Sequence, residues 1–324
     1  MLYILLATHN GETYLREQLD SLLAQDCAGW QVIARDDGSI ERTPYILSEY
    51  AAAHPDEITL LYEPSMRLGA SGNFSTLLAH ALTKEDASAL MFCDQDDVWH
   101  SGKVRTSLEK LEELEAAAGP DVPVLVHSDM TVVDDNLNVV APSFWRYQGI
   151  NPKFTDRLNR LLVMNTVTGC ATIINRALAE QSLPVPVDAV MHDWWLALVA
   201  AAFGRSAWIA TPLADYRQHG KNTVGAKYSS FKKTMESYIA KVFDLDVAEK
   251  GDLVLQQNLA QVKAFLARFD DRLSGAQKKM LRAYLDVFAS NRLRRAKDLI
   301  GHRLLRPGFS RNIGLFLRRK KQLW

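Results

Sequence analysis

Short apolar runs alternate with amphipathic stretches through the first half of the chain. Residues 2–6 form a continuous apolar run and read as a buried strand. Residues 11–24 place Leu15, Leu19, Leu22 and Leu23 at i, i+4, i+7 and i+8, which predicts one apolar helix face. The same reading gives strands at 31–34, 58–62, 89–93 and 122–127, and helices at 43–53, 73–82 and 103–117. Pro44 suits the first turn of its helix, where a missing N–H is harmless. This β-α-β-α rhythm predicts a parallel sheet with helices on both faces.

The rhythm then breaks. In 132–140 the run Asp-Asp-Asn-Leu-Asn lies between Val pairs, which predicts a hairpin or an antiparallel excursion. Residues 172–174 and 207–210 read as strands, and 193–203 as a buried helix. From about residue 229 the pattern is helical throughout. The expected organisation is an α/β domain over 1–228 and a helical, basic region over 229–324.

Composition adds limits. The 324 residues are 48% hydrophobic and 23% charged, which excludes a disordered chain or a disulfide scaffold. Cys27, Cys93 and Cys170 are scattered without metal-finger spacing, so reduced thiols in a reducing compartment are expected. No apolar run reaches membrane-span length, and the apolar start has no basic leader. The formal charge is zero, but residues 291–324 hold eleven of the 38 basic residues and one of the 38 acids. An acidic body therefore carries a basic tail.

Ligands of parallel α/β sheets bind at the carboxyl ends of the strands. Here the first strand ends in Ala7-Thr8-His9-Asn10-Gly11, the second in Asp36-Asp37-Gly38-Ser39 and the fourth in Asp94-Gln95-Asp96-Asp97. Any one of these could be an ordinary loop or cap. Acidic clusters at two strand ends of one sheet repel unless a cation lies among them. Oxygen ligands of this kind suit Mg²⁺ or Mn²⁺ beside a diphosphate. Neither a G-x-G-x-x-G fingerprint nor a P-loop is present.

These motifs resemble the family 2 glycosyltransferases with the GT-A fold, over residues 1–225. The resemblance rests on Ala7 to Gly11, Asp36 to Ser39, Arg67-Leu68-Gly69 through Asn73-Phe74, and Asp94 to Asp97 followed by Val98, Trp99 and Lys103. It implies a GT-A fold: a mixed, mostly parallel sheet flanked by helices, followed by the helical extension. It implies that Ala7, Thr8 and His9 hold the nucleotide base, with His9 standing where the family usually has Tyr. Asp37 would accept the imide N–H of uracil or thymine. Asp96 with Asp94 or Asp97 would bind the metal, Asp94 also serving the nucleotide side. Arg67 would touch a phosphate or Asp37, or be a solvated surface side chain.

In the second half, His192-Asp193-Trp194-Trp195 begins a helix, at a position where the family carries a general base. Asp193 would deprotonate the acceptor hydroxyl; as a bland alternative it is only an N-cap. Trp194 and Trp195 would stack on acceptor sugars, although at least one belongs in the core. Gly169 would line the acceptor side, and Cys170 lacks the partners of a nucleophile. Asp215 to Asn222 resembles the family's closing Tyr-Arg-x-His segment, which makes His219 a metal or diphosphate ligand.

The implied reaction is a single displacement with inversion at the anomeric carbon, dependent on Mg²⁺ or Mn²⁺. ATHNGE, DQDDVW and HDWW together are most similar to bacterial rhamnosyltransferases, which use dTDP-L-rhamnose to build surface polysaccharides. Donors are then dTDP- or UDP-sugars, the acceptor a glycan or lipid-linked glycan, and the setting cytoplasmic. In the tail, Leu293, Ile300 and Leu304 lie among basic residues, and 313–317 precede Arg318 to Lys321 and Trp324. That fits a peripheral, anionic membrane surface, or a basic helix packed on the acidic body. Nucleic acid is not expected. The alternatives are a non-catalytic GT-A scaffold and a nucleotide-sugar pyrophosphorylase, the latter without its expected Gly-rich loop.

Overall fold

The computed structural model describes residues 1–62, 67–220, 245–287, 290–305 and 312. The first elements are β1 (Leu2–Thr8), α1 (Leu15–Leu23), β2 (Trp30–Asp36), α2 (Thr43–Ala53), β3 (Ile58–Leu60), α3 (Gly69–Ala81) and β4 (Ala89–Cys93). Strands β3, β2, β1 and β4 lie side by side and parallel. The apolar strands are two-sided: Tyr3 and Leu5 enter one core cluster, Leu2, Ile4 and Leu6 the other. This is why they read as unbroken apolar runs. Leu15, Leu19 and Leu22 of α1 are buried against the second cluster, as their spacing predicts.

The sheet continues through β5 (Val98–Trp99), β6 (Val124–Val133), β7 (Val139–Ala141), β8 (Thr172–Asn175) and β9 (Arg205–Arg217). Its order is β3-β2-β1-β4-β8-β6-β9-β5, with β7 paired to β6. β8 runs antiparallel to both β4 and β6, and β5 antiparallel to β9, so the second half departs from the parallel rule. β6 and β7 form the hairpin expected at 132–140. β9 is far longer than the expected 207–210. Pro212 cannot donate to a ladder, and the β6–β9 register shifts beside it.

Between these strands lie α4 (Lys103–Ala118), α5 (Phe144–Gln148), α6 (Leu158–Leu161), α7 (Arg176–Ser182) and α8 (His192–Phe203). The C-terminal helices are α9 (Leu245–Phe269), α10 (Gly275–Asp286) and α11 (Arg292–Gly301). A capping box between Ser274 and Gln277 starts α10. Val262, Phe265 and Phe269 of α9 join Trp195 and Leu196 of α8 in one buried cluster, so the extension shares the core of the sheet. The division near residue 228 lies outside the described residues, as do Lys221, Asn222 and the tail from Ile313 to Trp324.

Candidate active site

The carboxyl ends of β1, β2 and β4 open into a cleft of about 430 Å³. It is lined by Ala7, Thr8, His9, Asp37, Arg67, Asp94, Asp96, Gly169 and Asp193, among others. The first-strand loop is tied to its neighbours. His9 N–H donates to Gln95 Oε1 at 2.7 Å, and Gln95 Nε2 donates to His9 O at 3.0 Å. His9 Nδ1 lies 3.0 Å from Asp37 O and Nε2 lies 3.0 Å from Asn10 Nδ2. A carbonyl can only accept, so the proton is on Nδ1.

Asp37 is buried and closely held. Its carboxylate accepts from Arg35 Nη1 at 3.0 Å, Leu68 N at 2.9 Å and Gly69 N at 2.7 Å. Arg35 also donates to Asn73 Oδ1 at 2.9 Å. Of the alternatives for Arg67, contact with Asp37 is not made: Arg35, near the end of β2, is the partner, and Arg67 is exposed at the cleft wall. Arg35 fits because a guanidinium satisfies a buried carboxylate and a neighbouring amide at once.

The acidic loop after β4 is crowded. Burial pushes the Asp94 carboxyl up to about 7, and Asp96 beside it adds to the rise. Asp97 is also pushed well up, by burial first and then by Asp96 and Asp94. Its Oδ1 accepts Arg217 N at 3.2 Å, whereas the buried Oδ2 has no partner among the described residues. Ligand atoms of Asp94, Asp97 and Cys170 lie within 4.8 Å of one another. Lys103 is buried beneath them, donating to Cys170 O at 2.7 Å and standing 4.1 Å from the Trp99 ring centroid. From the end of β9, His219 Nε2 lies 2.8 Å from Asp96 Oδ2, and its ring packs on Tyr14 at 4.9 Å. Arg217 braces the loop by donating to Asp96 O at 3.0 Å and to Glu17.

This donor set fits a hard divalent cation. Neighbouring carboxylates with raised pKa values and an orphaned oxygen gain from a cation among them. Burial pushes the Cys170 thiol well up, so it stays protonated and the oxygens dominate.

The opposite wall comes from α8 and the turn before β8. Asp193 Oδ2 accepts Gly169 N at 2.9 Å and Oδ1 accepts Asn165 Nδ2 at 3.0 Å. Burial still dominates and pushes its carboxyl up to about 6. The N-cap alternative is overturned: Met191 occupies the cap position and Asp193 lies inside the first turn. His192 packs on Phe74 and Phe92 at 4.3 and 5.0 Å, and burial pushes its pKa down to about 3.

The two tryptophans need correction. Trp195 is wholly buried, donates to Ser182 O at 2.9 Å and packs edge-on to Phe265 at 5.5 Å. Trp194 is half-buried against the same cluster and donates to Leu161 O at 2.6 Å. Neither lines the cleft. Trp195 faces the core because α9 covers that side of α8, whereas Trp194 is tied to α6 through Leu161. Asn73, Gln95 and His192 lie inside the motifs quoted above but had no role assigned, and Arg35 and Asn165 lie outside them. Of these two, Arg35 left a sequence signal, a charge inside an otherwise apolar strand just ahead of two acids.

The family model described as Glycosyl transferase family 2 matches residues 3–183. The dTDP-rhamnosyl transferase RfbG of Shigella flexneri is 27% identical over 226 residues, covering 69% of this chain and 75% of that protein. Against mycobacterial relatives, the chain spans 62% of their length. In fold, the chain is similar to S. aureus TarS 1–349 in complex with UDP. The TM-score is 0.55 at 15% identity, over 90% of this chain and 73% of that one. It is likewise similar to the mannosyltransferase PcManGT from Pyrobaculum calidifontis in complex with GDP-Man and Mn²⁺. There the TM-score is 0.53 at 18% identity, over 92% and 73%.

Proposed function

Since the chain belongs to glycosyl transferase family 2, we propose that it moves a sugar, L-rhamnose from dTDP-L-rhamnose, onto a glycan or lipid-linked acceptor with inversion at the anomeric carbon. The observation that carries this reading is the placement of a desolvated carboxylate, Asp193, across one cleft from the acidic loop Asp94 to Asp97. The thymine-type donor is supported by the name of the Shigella relative and by a carboxylate, Asp37, at the nucleotide end.

In this reading Ala7, Thr8 and His9 bound the base pocket, the His9 ring being held in place by Asp37 O and Asn10. Asp37 is fixed by Arg35 and two amides, so it meets the base without reorganising. Arg67 lies at the wall where a diphosphate would pass. Asp94 and Asp96, with His219 against Asp96 and Asp97 behind, would hold the cation. Such an ion supplies charge neutralisation for the leaving diphosphate. Asp193 takes the acceptor proton: its pKa of about 6 keeps it ionised at neutral pH yet basic enough to accept. Asn165 and Gly169 fix which lone pairs remain for that proton.

Residues 1–228 form the catalytic domain in this proposal, and 229–324 an extension that brings it to the inner face of the membrane. No helix among the described residues is long and apolar enough to cross a membrane. α11 supports a peripheral contact instead: Leu293 and Ile300 are 85% and 61% exposed, with Arg294 and Lys297 exposed beside them.

The test is transfer of labelled sugar from dTDP-L-rhamnose to membrane-extracted acceptor. Asp193→Ala should lose transfer and keep nucleotide binding. Transfer that survives the substitution would remove Asp193 from the role of base.

A further inference from the structure

A second cavity, of about 400 Å³, lies outside the cleft just described. Its walls include Trp145, Trp208, Arg146, Pro142, Pro152 and Pro212. Small-molecule sites of 300–1,000 Å³ typically pair aromatic walls with a few convergent polar groups, and this cavity has both. Neither indole N–H is hydrogen-bonded to a described residue, and the Arg146 guanidinium has no ion pair among them. A buried indole N–H usually finds a partner, so indoles that line the cavity and bond to no described residue leave N–H groups for a ligand.

The walls are rigid. Trp145 sits on α5, its backbone N–H donating to Asp129 Oδ1 at 3.1 Å and its ring packed on His127 at 5.1 Å. Asp129 Oδ2 takes Ser143 Oγ, the residue that caps α5. Trp208 sits on β9 opposite His127 of β6. Asp129 is thus engaged in holding the wall, which leaves Arg146 as the lining side chain with a charge and no ion pair among the described residues.

The cavity and the catalytic cleft share one strand, β9. Pro212 and Tyr216 stand on the same strand, roughly 13 Å apart at strand rise. Tyr216 lines the cleft, and its ring packs edge-on at 5.0 Å against Phe144, the neighbour of Trp145. That separation is a few sugar rings.

We propose that this cavity is a glycan subsite that grips a pyranose ring of the acceptor at a distance from the sugar being extended. The inference rests on the glycosyltransferase reading for its occupant. The apolar face of a pyranose lies on the half-buried Trp208 ring, with the edge of the buried Trp145 beside it, and its hydroxyls accept from an indole N–H and from Arg146. A site with donors and no free carboxylate selects neutral or acidic sugars over amino-bearing ones.

Saturation-transfer NMR tests this with methyl α-L-rhamnoside, methyl α-D-mannoside and methyl β-N-acetylglucosaminide as probes. It compares wild type, Trp208→Ala, Arg146→Ala and Asp96→Ala. At least one glycoside should bind wild type, with affinity about tenfold weaker in Trp208→Ala. Binding should persist in Asp96→Ala, and nucleotide affinity of the Trp208 and Arg146 variants should match wild type, which also reports their folding. No glycoside binding to wild type, or equal binding by Trp208→Ala, overturns the subsite. Loss of the signal in Asp96→Ala with retention in Trp208→Ala overturns it too, placing the sugar in the catalytic cleft. Glycoside binding that depends on Trp208 in a protein that binds no nucleotide would uphold the subsite and sink the proposed donor chemistry.

Discussion

Gly169 donates its backbone N–H to Asp193 Oδ2 across 2.9 Å, and a Cβ at Gly169 would lie 2.9 Å from Nε2 of His192. One glycine therefore serves both neighbours: it allows the imidazole to approach, and that approach brings its amide to the carboxylate. The histidine cannot retreat easily, because Phe74 and Phe92 pack on it.

Gly169→Ala should thus act on the reaction more than on the donor. The added methyl costs about 1–3 kcal/mol of stability by overpacking. Transfer rate should fall at least about tenfold as Asp193 shifts, while nucleotide affinity in calorimetry stays near wild type. An equal fall in both would mean general damage to the cleft.

The raised Asp193 carboxyl sets a pH profile. As the base it must be ionised, so the transfer rate should climb as pH rises through about 6. At one unit below, the rate should be roughly tenfold lower. A profile flat between pH 5 and 7 would contradict the assignment.

The same shift has a stability consequence. Asp193 goes from 3.8 to about 6 on folding, so between those values the folded state holds a proton that the unfolded state has lost. Its contribution to stability is therefore best at low pH and declines as pH rises through 6. His127 and His192, both pushed down to about 3, act in the opposite sense, since the unfolded state binds their protons first. The wild-type profile mixes these, so the variant isolates the carboxyl. Asp193→Asn, measured against wild type by urea unfolding, should gain stability between pH 4 and pH 8, by about 3 kcal/mol at the upper bound.

Arg35 and Asp37 are a buried ion pair, each 3% exposed. Arg35→Met leaves Asp37 with only the Leu68 and Gly69 amides. A loss of about 3–5 kcal/mol in unfolding free energy is expected, with weaker nucleotide binding because the carboxylate no longer has a fixed position. Arg67→Ala, at an exposed wall, should change stability by less than about 0.5 kcal/mol.

Trp195→Ala should cost about 3–5 kcal/mol, because it empties a core site beside Phe265 and Phe269. Whatever protein remains folded should keep its acceptor KM. A raised KM at unchanged stability would restore the sugar-stacking role.

The sequence was informative where chemistry clusters at strand ends. Asp36 to Ser39 and Asp94 to Asp97 stood out because apolar runs deliver them, and β1, β2 and β4 lie where the pattern predicts. It was uninformative about direction. An apolar run such as 172–175 reads alike in parallel and antiparallel pairing, so the reversal at β8 was invisible. Pro212 hid most of β9, and two-residue β5 is too short to show a period. At the site, the Asp193 position was legible as a helix start, but its anchors Asn165 and Gly169 come from a loop whose path only tertiary packing sets. Which tryptophan belongs in the core was not legible, because an HDWW segment shows composition, whereas burial of Trp195 under α9 depends on a helix fifty residues further along.

The most direct measurement is calorimetric titration of the full chain with dTDP, UDP and GDP, each with and without Mn²⁺, on wild type and Asp96→Ala. The account predicts metal-dependent binding of dTDP or UDP that is lost in the variant. Binding of no nucleotide, or binding indifferent to both Mn²⁺ and Asp96, would contradict it.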